Sequence, residues 1–194
     1  FIGGGAGNQL VGNTCWGVVV GGRINTGSAL YSFIGGGYTN VNGSACGVIV
    51  GGAFNSSSAA CAFIGGGVYN TSSAASSFIG GGCSNLLCSG NGVLVGGSDN
   101  YVCSNGNVTL VGGCGNIASG CCTFLGGGNR NCACGQISTL VGGTLNTASG
   151  ACSFIGGGTG NIVNSGLSAV VGGIRNTASA EQSFIGGGTC NLTV

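Results

Sequence analysis

The sequence contains no proline, histidine, methionine or lysine, and only five side chains carry charge at neutral pH: Arg23, Arg130, Arg175, Asp99 and Glu181. Each shortage removes a class of function. Without proline a collagen helix is excluded, however abundant the glycine. Three arginines cannot supply the basic stripe that displaces counterions from nucleic acid, so no nucleic-acid partner is expected. One aspartate and one glutamate, with no histidine or lysine, leave no pair for acid–base or nucleophilic catalysis. Asp99 and Glu181 lie more than five repeats apart, and the chain is read as non-enzymatic, without catalytic residues or cofactor. No apolar run approaches the roughly 18 residues of a membrane span, so no membrane insertion is expected, and the first repeat is read as having no signal peptide before it. Disorder driven by low hydrophobicity and high charge is excluded too, since 43% of residues are hydrophobic and the net charge is +1.

What the chain has is glycine, 48 of 194 residues, and a period. Asparagines recur at Asn8, Asn25, Asn40, Asn55, Asn70, Asn85, Asn100, Asn116, Asn131, Asn146, Asn161, Asn176 and Asn191, at intervals of 15 apart from one of 17 and one of 16. Glycine stands three and four residues before every one of them, and an aliphatic residue stands six before. A 15-residue unit is too short for helix-pair repeats, and it carries glycine where a helix would break. It predicts an all-β fold: a parallel β-solenoid, or β-roll, of thirteen coils with two short strands per coil. The first strand is Ser-Phe-Ile-Gly-Gly, as at 32–36, and the second is the three or four residues after the asparagine, as at 147–149. The Gly-x-x-Asn between them is turn chemistry, because both residue types tolerate positive φ. At about 4.8 Å per coil the stack makes a rod of roughly 60 Å. Residues 1–194 are read as one repetitive segment of a longer fibrous protein, since the chain starts and stops inside a repeat. Stacking places the thirteen asparagines above one another, either as a buried amide ladder or as left-handed turn formers facing water.

The positions on either side of the aliphatic residue follow a rule. Seven repeats carry phenylalanine before it and glycine after it, as in Phe63/Gly65, and the other six carry a smaller residue before and valine after, as in Val48/Val50. Residues two apart in a strand share a face, so the pair compensates in volume, as close packing demands. This row is expected to bury against other copies of the chain, through Phe1, Val18, Phe33, Val48, Phe63, Phe78, Val93, Phe124, Phe154 and Phe184. The alternative turns the row inward and leaves the aliphatic residues outside.

Thirteen cysteines suggest an oxidising, extracellular setting. Cys46 and Cys61 occupy equivalent places in adjacent repeats, as do Cys88 and Cys103, and both pairs are candidate disulfides. The cluster Cys114, Cys121, Cys122, Cys132 and Cys134 lacks histidine and a double CxxC spacing, so no metal site is expected. Among the N-x-S/T sequons, Asn42 and Asn107 are the candidate glycosylation acceptors, because Asn55, Asn70 and Asn191 belong to the ladder.

The stretches NIASGCCTFLGGG (116–128) and NTASGACSFIGGG (146–158) resemble the repeats of YadA-like heads of trimeric autotransporter adhesins. They are also similar to IGGG-type repeats in fibre proteins of phages and large DNA viruses. The resemblance implies a β-roll, often a parallel trimer, that works in attachment to a host receptor or glycan. The chain is thus read as a structural fibre segment of a virion, an extracellular appendage or a surface adhesin, partnered by other copies of itself. The alternative is an ice-binding solenoid, which calls for a regular Thr/Ser row. Only five of the thirteen residues that follow the asparagines are Thr or Ser.

Overall fold

The computed structural model describes residues 1–12 and 14–194, which cluster into two compact units, Phe1–Ser98 and Asp99–Val194. Each unit is a parallel β-solenoid. In the first, the two-residue strands Gln9–Leu10, Thr26–Gly27, Val41–Asn42, Ser56–Ser57, Thr71–Ser72 and Leu86–Leu87 form one sheet, and Val18–Val19 through Val93–Leu94 form the other. In the second, Tyr101–Val102 through Leu192–Thr193 form one sheet and Thr109–Leu110 through Phe184–Ile185 the other. The strands, two residues each, are shorter than the five residues expected for the first and the three or four expected for the second, because the chain turns as soon as the inward side chain has been placed.

Register follows the period. Phe63 pairs with Phe78 and Ile64 with Ile79, one repeat away. Where the interval is longer, Gln9 still pairs with Thr26 and Tyr101 with Ile117. The next strands, Val18 with Phe33 and Thr109 with Phe124, are back at 15. The extra residues are therefore absorbed between Leu10 and Val18, and between Val102 and Thr109.

A third row of parallel bridges, two residues before each asparagine, was not expected. It runs Ala6–Arg23–Tyr38–Ala53–Val68–Cys83–Ser98 in the first unit and Cys114–Asn129–Thr144–Thr159–Ile174–Thr189 in the second.

Corners rest on left-handed residues, and these are not the ladder asparagines. The residue just before the asparagine has φ between 51° and 59° in ten coils, among them Ile24, Phe54 and Arg130, and is glycine in the other three. A second left-handed residue sits six after the asparagine, as at Tyr31, Cys46 and Cys61. The hydrogen bonds give the reason. Tyr38 N donates forward to Gly52 O in the following coil, whereas Thr39 N donates back to Arg23 O in the preceding one. Cys46 N likewise donates back to Leu30 O. A left-handed residue reverses the direction of its N–H, so each corner is tied to both neighbouring coils.

The interior holds the aliphatic row. Val19, Ile34, Ile49, Ile64, Ile79 and Leu94, and in the second unit Leu110, Leu125, Leu140, Ile155 and Val170, are all fully buried. Opposite them stand the residues two after the asparagine, such as Leu87, Val102 and Ala148. Behind these lies a row of mostly small residues seven after the asparagine, among them Ser32, Ala62, Ser138 and Ser153. Leu87 faces Gly92, where an added Cβ would lie 2.7 Å from Leu87 Cδ1. Space this narrow leaves some hydroxyls without partners, namely Ser32, Ser57, Ser138 and Ser153. Alanine already occupies the equivalent slot at Ala62. Ser138→Ala is therefore expected to leave stability unchanged or raise it by about 1 kcal/mol in chemical denaturation, because an unsatisfied buried hydroxyl is removed.

Candidate functional site

The thirteen asparagines point inward and form a ladder within each unit. From Asn25 to Asn85, and from Asn100 to Asn176, they are buried. Asn70 shows the pattern. Its backbone N–H donates to Asn55 Oδ1 at 3.0 Å, and its Nδ2 donates to Gly66 O and Gly82 O at 3.0 Å and to Asn55 Oδ1 at 3.2 Å. Its own Oδ1 accepts from Asn85 N and Nδ2. The second unit repeats this from Asn116 to Asn191, as where Asn116 N donates to Asn100 Oδ1 at 3.0 Å. The amide thus ties three successive coils together and satisfies turn carbonyls that would otherwise be orphaned.

The glycine three before each asparagine makes this possible. Its φ lies between 84° and 97° in all thirteen coils. At Gly37, Gly52 and Gly67 a side chain would collide with the carbonyl oxygen of the matching glycine in the next coil, and would come within 2.7 Å of the asparagine Nδ2.

The Phe/Val row faces outward, on the opposite side of its strand from the buried aliphatic row. Val18, Phe33, Val48, Phe63 and Val93 are half-buried, whereas Phe1, Phe78, Phe124, Phe154 and Phe184 are exposed. The valines that follow the aliphatic residue stand out further, with Val50 49% and Val95 48% accessible. Phe63 and Phe78 stack in parallel with their centroids 5.1 Å apart. The volume compensation read from the sequence has a cause within one chain. Each ring lies over the glycine of its own coil, with Phe33 Cε1 3.4 Å from where a Cβ on Gly35 would sit. A side chain on that glycine would also strike the carbonyl of Val50 in the next coil. A partner surface is not needed to explain the rule.

All five charged residues lie away from both sheets. Asp99, Arg130 and Arg175 are left-handed corner residues, Arg23 is in the bridge row with its guanidinium 5.9 Å from the Tyr38 ring centroid, and Glu181 is at the opposite corner. Tyr38, Phe54 and Tyr69 form an aromatic cluster beside Arg23, edge-on at 5.2 Å and stacked at 4.8 Å.

The cysteines divide differently from expectation. Cys46 and Cys61 are free and exposed, which corrects the candidate bridge between them. Both are left-handed corner residues at equivalent places, so their Cα–Cβ bonds run parallel and the sulfurs are not turned toward each other. Neither Cys88 nor Cys103 is a free thiol. A disulfide that sequence reasoning missed joins Cys132 and Cys134, whose Cα atoms are 5.7 Å apart. Its only signal was the i, i+2 spacing, which puts both side chains on one face of a strand. Among the described residues no group of three or more metal-ligating side chains converges, and no pocket opens.

The glycosylation candidates also part. Asn107 is exposed. Asn42 is fully buried, with Nδ2 donating to Gly47 O at 2.9 Å and to Phe33 O at 3.1 Å. It is therefore no acceptor in the folded chain, because it stands at the inward strand position two after Asn40.

These features define a protein built of parallel β-solenoid units with an internal amide ladder and an uncharged outward sheet face. No protein-family model matches its sequence, and no curated protein matches it.

Proposed function

We propose that the chain is a structural fibre segment that self-associates through the outward Phe/Val face, in a virion fibre, an extracellular appendage or a surface adhesin. The observation that carries this reading is the segregation of charge. In the first unit the face presents Phe78, Val50 and Val95, and in the second Phe124, Phe154 and Val141, all exposed, while every Arg, Asp and Glu lies at a corner or in the bridge row. Soluble monomers rarely leave large contiguous apolar patches exposed, and such patches mark association sites. Copies of the chain are the partner this face suits best, because its ridges repeat at the coil spacing of about 4.8 Å. The resemblance to attachment fibres supports the same reading, with an extracellular location, a structural rather than enzymatic role and a host receptor or glycan as further partner. The row after the asparagines, which an ice-binding surface would use, mixes Leu86, Tyr101, Ile117 and Cys132 with its threonines and favours no second reading.

Sedimentation velocity tests the proposal. The native chain is expected to assemble at micromolar concentration. The double variant Val50→Lys/Val95→Lys is expected to dissociate at least about tenfold more readily, since burying two unpaired charges is strongly unfavourable. Compared at a concentration where both chains are monomeric, its melting temperature should match the native one, because both valines are exposed in the single chain and only assembly couples them to stability. A native chain that stays monomeric at high concentration defeats the proposal.

A further inference from the structure

Four cysteines occupy the same left-handed corner position, six after a ladder asparagine: Cys46, Cys61, Cys122 and Cys152. Three of them follow an alanine, Ala45, Ala60 and Ala151. Cys122 alone follows another cysteine. The Cys121 and Cys122 sulfurs lie 3.3 Å apart, and both thiols are free. They are not equally accessible. Cys122 is exposed and Cys121 half-buried. Gly106, in the corner that absorbs the one-residue insertion, backs the Cys121 sulfur so closely that a side chain there would collide with it. The insertion thus places a backbone wall behind one sulfur and leaves the other open to solvent.

We propose that Cys121 and Cys122 form a reversible modification site, a vicinal dithiol that reacts with low-molecular-weight disulfides and closes to an intramolecular disulfide. The Cys122 thiolate, being exposed, attacks one sulfur of the incoming disulfide. A mixed disulfide forms, the reagent's S–S bond breaks, and its first half leaves as a thiol carrying the proton that Cys122 gave up. Cys121 then loses its proton and attacks Cys122 Sγ, and the second half of the reagent leaves as a thiol. Two protein thiols are oxidised and one small disulfide is reduced to two thiols. The sulfurs must close from 3.3 Å to a bond of about 2.05 Å. Because adjacent Cα atoms lie only about 3.8 Å apart, below the usual disulfide range, closure also needs backbone adjustment at this corner, and the bond formed is readily reduced. The hydrogen bond with Cys122, with smaller contributions from burial and from the Cys122 charge, pushes the Cys121 thiol up. The resolving role falls to Cys121 on geometry, its half-buried sulfur lying 3.3 Å from that of exposed Cys122.

Cys152 supplies the internal control, being an exposed thiol at the same corner position of the same unit with no neighbouring cysteine. The full chain is equilibrated with glutathione disulfide and glutathione at set ratios, quenched by alkylation and mapped by peptide mass. The Cys121–Cys122 peptide is expected to lose both alkylations together and to become lighter by two hydrogen atoms. Glutathione adduct at Cys122 should be at least about tenfold scarcer than at Cys152. In Cys121→Ser the adduct at Cys122 should rise to the Cys152 level, and dithiol reductant should reverse every change. Stable adduct on native Cys122 at the Cys152 level, or independent modification of Cys121 and Cys122, overturns the proposal. The native-chain measurement decides the matter even if the variant folds poorly.

Discussion

Gly52→Ala is expected to lower stability by about 3–5 kcal/mol, in the range of the most damaging single substitutions, while Gly51→Ala, one residue earlier, changes it by no more than about 0.5 kcal/mol. The two glycines belong to the same invariant pair. Gly51 has nothing within 4 Å of the place a Cβ would occupy, and its φ is not in the left-handed region. Gly52 has φ 87°, and its Cβ would collide with Gly67 O and lie 2.7 Å from Asn55 Nδ2 and 2.8 Å from Gly67 N. The backbone strain alone costs about 1–3 kcal/mol. Relieving the collision means moving the adjacent coil, which breaks the Asn55 hydrogen bonds to Gly51 O and Gly67 O. Urea denaturation followed by circular dichroism measures both variants. Equal midpoints for the two would show that the close approach between coils does not limit stability.

Asn70→Asp is expected to destabilise the chain by about 3–5 kcal/mol at neutral pH, the cost of an uncompensated buried charge, and by much less in acid. Nδ2 of Asn70 donates to Gly66 O and Gly82 O, and a carboxylate would present a lone pair to those carbonyls instead. Burial and the two carbonyl oxygens both oppose ionisation, so the folded state raises the new group's pKa above its unfolded value of about 3.9. The folded state then binds more protons than the unfolded one between the two values, and stability falls as pH rises through that interval. Below about pH 4 the protonated acid still donates one hydrogen bond, and the loss shrinks to about 1 kcal/mol. Thermal melts from pH 3 to pH 7 against the native chain measure the effect. A deficit independent of pH would mean that the amide Nδ2 does not face those carbonyls.

The sequence made the coil legible because the coil's demands fall on side-chain identity at fixed positions. The buried row tolerates only aliphatic residues such as Ile34 or Leu94, and the close approach at Gly52 tolerates only glycine, so both recur with the period. The left-handed corner leaves almost no trace. Ile24, Phe54, Asp99 and Arg130 share one backbone conformation, yet they have no chemistry in common, because the conformation is imposed by hydrogen bonds to the coils on either side. Asn42 was misread as a surface sequon for the opposite reason. Its sequence context matches the sequon motif, and only the strand register shows that its side chain points inward. The Cys132–Cys134 bridge was hidden because spacing alone does not distinguish two thiols on one strand face from two small core residues. The Phe/Gly rule was visible, but its cause was not, since a ring folded over its own glycine and a ring awaiting a partner leave the same pattern.

The corner residue just before each ladder asparagine is held by its neighbours' backbone rather than by its own side chain. Ile, Thr, Phe, Tyr, Ser, Asp, Arg, Leu, Cys and Gly all occupy it without disturbing the coil. Selection can therefore rewrite this column one letter at a time while the architecture beneath stays put. Within each unit the column works as a row of sockets at the coil spacing, open to almost any chemical group. A surface that must keep pace with a changing target could vary there first, leaving the amide ladder and the aliphatic core untouched.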